Sequence, residues 1–121
     1  MNMITSIRQV GPVAIVDISG RIVLGEECAS LRKLICDLLS DGHKQILLNL
    51  AEVNYIDSAG LGQMVSAFTS VRKQGGDLKL LKLTSKVHDL IQITRLYTVF
   101  DVLDDEASAV SAFARSAAAT A

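Results

Sequence analysis

Five residues of this chain, Ile46-Leu47-Leu48-Asn49-Leu50, leave little choice about what surrounds them. Side chains along a strand point alternately to two faces, so a run that is apolar on both cannot lie at a surface. It reads as an interior strand with helices covering the sheet. The residues that follow constrain the chain further. The run passes through a short acidic turn to Asp57-Ser58, then meets Gly60 and Gly62 at the start of an amphipathic helix. Function in open α/β folds concentrates where the carboxyl end of a strand feeds the amino end of a helix. No other stretch of the sequence sets small, hydroxylated and acidic residues beside such backbone freedom.

The rest of the chain alternates in the same manner. Residues 4–9 and 13–19 are predicted strands, divided by the turn Gly11-Pro12 and joined closely enough to pair antiparallel. Arg21-Ile22-Val23-Leu24 is a short strand or an extended link. Gly25-Glu26-Glu27 opens a helix with acid in its first turn, and Leu31, Leu34, Ile35 and Leu38 form one core-facing stripe. The second helix spans Ser58 to Gln74, with Leu61, Met64, Val65, Phe68 and Val71 inward and Gly75-Gly76 as a left-handed stop. Strand 78–83 carries Lys79 and Lys82, which predict a partly exposed face or a sheet edge. Thr84 or Ser85 caps a third helix on which Val87, Leu90, Ile91 and Thr94 share a face, and Arg95-Leu96-Tyr97 ends it. Val99-Phe100-Asp101-Val102 is a last short strand. Asp104-Asp105-Glu106 then opens a final helix whose buried stripe is Ala107, Val110, Phe113 and Ala114. The order β-β-(β)-α-β-α-β-α-β-α predicts one α/β domain over residues 1–115 with right-handed crossovers, followed by a small-residue tail, 116–121, expected to fray.

Composition removes several classes of function. Twelve basic side chains stand against 13 acidic ones, for a net charge of -1, and no basic stripe is present to neutralise phosphates. Five aromatic residues are too few for a stacking platform. Direct nucleic-acid binding is therefore not expected. Cys28 and Cys36 lie eight residues apart on a predicted helix, about 12 Å along its axis, which forbids a disulfide between them. Without nearby histidines they make no metal site, and they read as buried or half-buried thiols of a reducing compartment. No segment has the length of a membrane span or of a signal-peptide apolar core, so a cytoplasmic location is expected.

Ser58 is the candidate functional residue. It stands where the helix begins, so its hydroxyl can accept a hydrogen bond from an N2 or N3 amide, a cap contributing about 1 kcal/mol. Asp57 can serve as the cap instead, which would leave Ser58 at the first helical position. Two cap-competent residues stand where one suffices, and glycine at positions 60 and 62 costs roughly 1 kcal/mol each inside a helix. Such a cost marks a place where another backbone or a partner comes close. A serine at a helix amino terminus is also well placed to carry a phosphate, whose charge the free amides and the helix dipole stabilise. Enzyme readings fit less well. Gly60-Leu61-Gly62-Gln63-Met64-Val65 follows a strand like a dinucleotide loop, but its third position is Val and the next strand ends without a ribose-binding acid. No Walker lysine follows, no G-x-S-x-G elbow surrounds Ser58, and His43 and His88 do not make a convincing Ser-His-Asp triad.

At Asp57-Ser58-Ala59-Gly60-Leu61-Gly62 the sequence resembles the STAS domain, the sulphate transporter and anti-sigma factor antagonist family, and within it the single-domain bacterial anti-sigma factor antagonists. Val16-Asp17-Ile18-Ser19-Gly20-Arg21-Ile22 is similar to that family's second strand and turn. Leu48-Asn49-Leu50 with Val53, Tyr55 and Ile56 is similar to its central strand and phosphorylation loop. Leu80 to Val102 is similar to its third helix and last strand. The resemblance implies a mixed open sheet with about four helices packed mainly on one face. No cofactor or metal and no catalysis by the domain itself are expected, from the cysteine pattern and the failed enzyme motifs above. The resemblance further implies a partner switch: the unphosphorylated form sequesters a serine-kinase anti-sigma factor and frees the sigma factor, the kinase phosphorylates the serine with ATP, and a PPM-type phosphatase reverses this. Carried onto this chain, Ser58 is the phosphoacceptor and Asp57 the adjacent acid. Ala59, Gly60 and Gly62 lie at the kinase contact, with both glycines allowing its close approach, and Asp17, Ser19 and Arg21 line the neighbouring loop surface. The chain has Arg95-Leu96 where many family members place a glycine before that leucine, a change at the turn rather than at the site. Other STAS domains serve in lipid-transport complexes, so an accessory subunit of an ABC lipid transporter is the alternative, with a nucleotide-binding protein behind it.

Overall fold

The computed structural model describes residues 3–120, with side chains as far as Ala114. The chain runs β1 (Ile4–Val10), β2 (Val13–Ile22), α1 (Glu26–Ser40), β3 (Gln45–Ile56), α2 (Ser58–Lys73), β4 (Asp77–Leu81), α3 (Ser85–Ile93), a 3-10 turn at Leu96–Thr98, β5 (Val102–Leu103) and α4 (Glu106–Thr120). The five strands lie in one sheet in the order in which they occur. β1 pairs antiparallel with β2 across the Gly11-Pro12 turn, and every later neighbour is parallel, as helical connections require.

The two-residue repeat of the strands sorts the core into two layers. Val16, Ile18, Leu48, Leu50, Leu78 and Leu80 point to the side covered by α1, α2 and α3. Val13, Ile15, Leu47 and Leu81 point to the other side, where α4 brings Ala109 and Phe113. Three helices on one face and one on the other make the mixed open sheet expected from the sequence. Ile46, Leu47 and Leu48 are wholly buried, as a run apolar on both faces must be.

Several elements differ from the sequence reading. The acidic turn expected after Leu50 is strand: β3 runs twelve residues, to Ile56, and pairs along β2 as far as Ile22. Residues 19–22 likewise continue β2 instead of forming a separate link. β3 carries two more residues than β2 over this stretch, taken up in register shifts between Asp17 and Ser19 and between Gly20 and Arg21. Asn49 holds the first of these bulges, accepting from the Ala51 amide at 3.2 Å and donating to Asp17 at 2.8 Å.

Of the two lysines read into β4, Lys82 is exposed just past its end, but Lys79 misled. β4 is an interior strand between β3 and β5, and Lys79 is 2% exposed. Its ammonium lies over the ring of Phe113, 5.4 Å from the centroid, and reaches Asp101 at 2.8 Å and Asp77 at 3.2 Å. β5 is only Val102–Leu103, because a turn of 3-10 helix takes the chain through Leu96–Thr98. On α4 the inward residues are Ala109 and Phe113 with Val110 at the margin, while Ala107 and Ala114 are exposed. The same helix continues as backbone through Thr120, over most of the stretch expected to fray; Ala121 lies outside the described residues. Of the two thiols, Cys28 is buried, but Cys36 is exposed on the outer side of α1.

Candidate functional site

The carboxyl end of β3 places the Asp57-Ser58 junction against the end of β2. The Asp57 amide donates to the Ile22 carbonyl at 3.2 Å, which carries the strand pairing one residue past Ile56. Its backbone is extended, and one carboxylate oxygen accepts from the Gly60 amide at 2.7 Å. Asp57 is therefore the helix cap, and Ser58 is not. The second oxygen accepts from the Leu24 amide at 3.0 Å and so ties the link between β2 and α1 to the start of α2. These amides, Leu24 first and Gly60 next, hold the Asp57 carboxyl below its usual range, so the group is ionised at neutral pH.

With Asp57 capping, Ser58 occupies the first position of α2, exposed to solvent. Among the described residues its hydroxyl has no hydrogen-bond partner. The chemistry open to it is that of a reachable alcohol at the positive end of a sixteen-residue helix. Among the described residues no group of three or more His, Cys, Asp or Glu could hold a metal.

The two glycines behave differently from each other and from expectation. A β-carbon on Gly60 would lie 2.2 Å from the Ile22 carbonyl oxygen and 2.8 Å from Ile56 Cγ2. The close approach that Gly60 permits is thus to its own sheet, and the residue is buried there. Around Gly62 there is open space within 4 Å, and the residue is exposed. Ala59 is half-buried beside it.

Of the three residues assigned to the neighbouring loop, only Arg21 stands beside the junction. Arg21 pairs with Tyr55 in the strand register and lies over its ring at 4.9 Å from the centroid. Ser19, opposite Glu52, is half-buried. Asp17 is five residues before Ile22, roughly 16 Å back along the strand. It belongs to the face under α4, where Arg8 binds it at 2.6 Å and Glu106 at 2.8 Å, and Asn49 completes the cluster. Arg8, followed by Asn49, keeps the Asp17 carboxyl low. Asp17 joins four elements; it does not line the site.

Sequence reasoning missed Leu24, which is 76% exposed beside Asp57 although it is a large apolar residue. The only signal was a leucine directly before the turn glycine Gly25 (φ +112°), where a strand can no longer bury it. Tyr55, 43% exposed, was placed in the central strand but not at the surface.

A mixed sheet with three helices on one face and one on the other is the frame that holds this junction, and the chain belongs to the STAS domain family, whose model matches residues 5–109. Among curated relatives it is 39% identical over 72 residues to the anti-sigma-B factor antagonist of Bacillus subtilis strain 168, a match covering 60% of this chain and 65% of that protein. Among solved structures it is similar to a candidate anti-sigma factor antagonist from Thermotoga maritima, with a TM-score of 0.83 and 25% identity over 90% of this chain and 93% of that one. It also shares its fold with the Bacillus cell fate determinant SpoIIAA in its phosphorylated form, with a TM-score of 0.70 and 16% identity over 89% and 97% of the two chains. Among the described residues no helix is long and apolar enough to cross a membrane.

Proposed function

We propose that this protein is an anti-sigma factor antagonist: a non-enzymatic binding module that, unphosphorylated, sequesters a serine-kinase anti-sigma factor and so releases a sigma factor. Phosphorylation of Ser58 by that kinase switches the module off, and a PPM-type serine phosphatase restores it. The observation that carries this reading is the division of labour at the junction. Asp57 caps α2, which leaves the Ser58 hydroxyl free and exposed. The family membership and the names of the relatives support the same reading. A phosphate on Ser58 would stand at the positive end of α2, where the dipole favours it, and directly beside the ionised Asp57. It would change the charge of the surface a partner meets while leaving the cap in place. Ser58, Ala59, Gly62 and Arg21 form that surface, with Leu24 and Tyr55 as its exposed apolar parts.

The test is incubation with a serine-kinase anti-sigma factor of the same organism and ATP, followed by intact-mass measurement. One phosphate is expected, localised to Ser58, and none on Ser58→Ala. Absence of phosphate, or phosphate on another residue, would sink the switch. Ser58→Ala is expected to hold the kinase as tightly as the unmodified protein, and Ser58→Asp to fold normally but bind poorly.

A further inference from the structure

Among the described residues the outer edge of β1 has no partner strand, and it carries none of the devices that keep such an edge single. β1 pairs with β2 in unbroken register, contains neither proline nor lysine, and draws its one charge, Arg8, back onto Asp17 and Glu106. Ile4 and Ile7 are 68% and 50% exposed on it. We propose that this edge receives a second copy of the chain, in antiparallel pairing centred on Ile7, so that two sheets become one across a two-fold axis.

The order of residues in the strand favours a copy of itself over any other occupant. A two-fold axis at Ile7 sets Ile7 opposite Ile7, Ile4 opposite Val10, Thr5 opposite Gln9 and Ser6 opposite Arg8. Apolar meets apolar and polar meets polar along the whole strand. A slip of one residue would set Ile7 against Ser6 or Arg8, so the register is specified. On the helical face, Ile7 edges a groove floored by Leu34 and Leu38 and rimmed by Lys33, Asp37 and Asp41. The axis brings the two grooves side by side, with both signs of charge on each rim. On the other face Ile4 of one copy reaches Val10 of its partner, which already packs on the cluster around Phe113. The net charge of -1 offers little repulsion between copies.

The experiment is sedimentation of the full chain from micromolar to millimolar concentration. The mass is expected to rise from 13.0 kDa towards twice that value. Ile7→Lys places like charges opposite each other and is expected to keep the mass at the monomer with an unchanged circular dichroism spectrum. A second variant makes the geometry itself testable. Ile7→Cys in a Cys36→Ser background, which removes the exposed thiol, is expected to give a disulfide-linked dimer on oxidation, because opposed positions on paired strands lie within bridging distance. A monomer at every concentration, a dimer that survives Ile7→Lys, or an Ile7→Cys variant that does not cross-link overturns the proposal. None of these readouts depends on Ser58.

Discussion

Gly60 and Gly62 stand two residues apart in the first turns of α2, yet alanine should move stability in opposite directions at the two. At Gly60 the new methyl would collide with the Ile22 carbonyl, a backbone atom that cannot swing aside. Gly60→Ala should cost about 1–3 kcal/mol or more. At Gly62 the methyl meets nothing and the helix loses a flexible residue, so Gly62→Ala should add up to about 1 kcal/mol. Urea unfolding of both variants decides it; equal shifts would show that the contact at Gly60 is not tight. The cap gives a second contrast. Asp57→Ala removes the acceptor for two amides and should destabilise by about 0.5–2 kcal/mol, whereas Ser58→Ala should fall within about 0.5 kcal/mol of the parent. From sequence alone Asp57 and Ser58 were equally able to cap α2. The choice was made by the Leu24 amide, 33 residues away, which no local pattern reveals.

At the level of elements, the positions of the helices were legible because their apolar stripes repeat every three to four residues and are punctuated by caps and glycines. Leu31, Ile35 and Leu38 are buried where that repeat places them. The strands were harder to read, since their length depends on partners. β3 looks like a five-residue strand and a turn, because Ala51-Glu52-Val53-Asn54-Tyr55 mixes polar and apolar residues around bulges that only β2 defines. Lys79 looked like an edge residue because its charge is visible in the sequence and its neutralisation by Asp101, 22 residues later, is not. Lys79→Ala should therefore destabilise as a core substitution does, by about 2 kcal/mol or more, and not by the few tenths expected of an edge lysine. The turn after α3 offers a gain. Arg95 adopts a left-handed backbone at φ +60°, a conformation that costs an L-residue roughly 1–2 kcal/mol. Arg95→Gly should raise stability by about 0.5–1 kcal/mol once the greater entropy of unfolded glycine is counted, and an unchanged melting temperature would contradict this.

Over the whole molecule, acid should act through a few carboxylates. Asp17, Asp57 and Asp105 are each held below the usual value of 3.8, by Arg8, by the Leu24 amide and by the Ser108 amide respectively. A folded-state value below the unfolded one means that the native chain binds fewer protons. The stabilisation is then complete above about pH 4 and is lost as pH falls through the folded values. Urea midpoints measured from neutral pH downwards should stay level and then drop below that point, and Asp57→Asn should blunt the drop. The two-layer arrangement also bears on time. The start of α2 is anchored at the Ile22 carbonyl, the Leu24 amide and the seat of Gly60, all within four residues. A partner that docks there meets a surface already ordered, with no loop entropy to remove and no conformational step to wait for. Association at this end of the sheet should therefore run at the rate of collision and orientation alone, and the amides of Gly60 and Leu61, which donate to the Asp57 carboxylate and carbonyl, should exchange with solvent equally slowly before and after a charge is placed on Ser58.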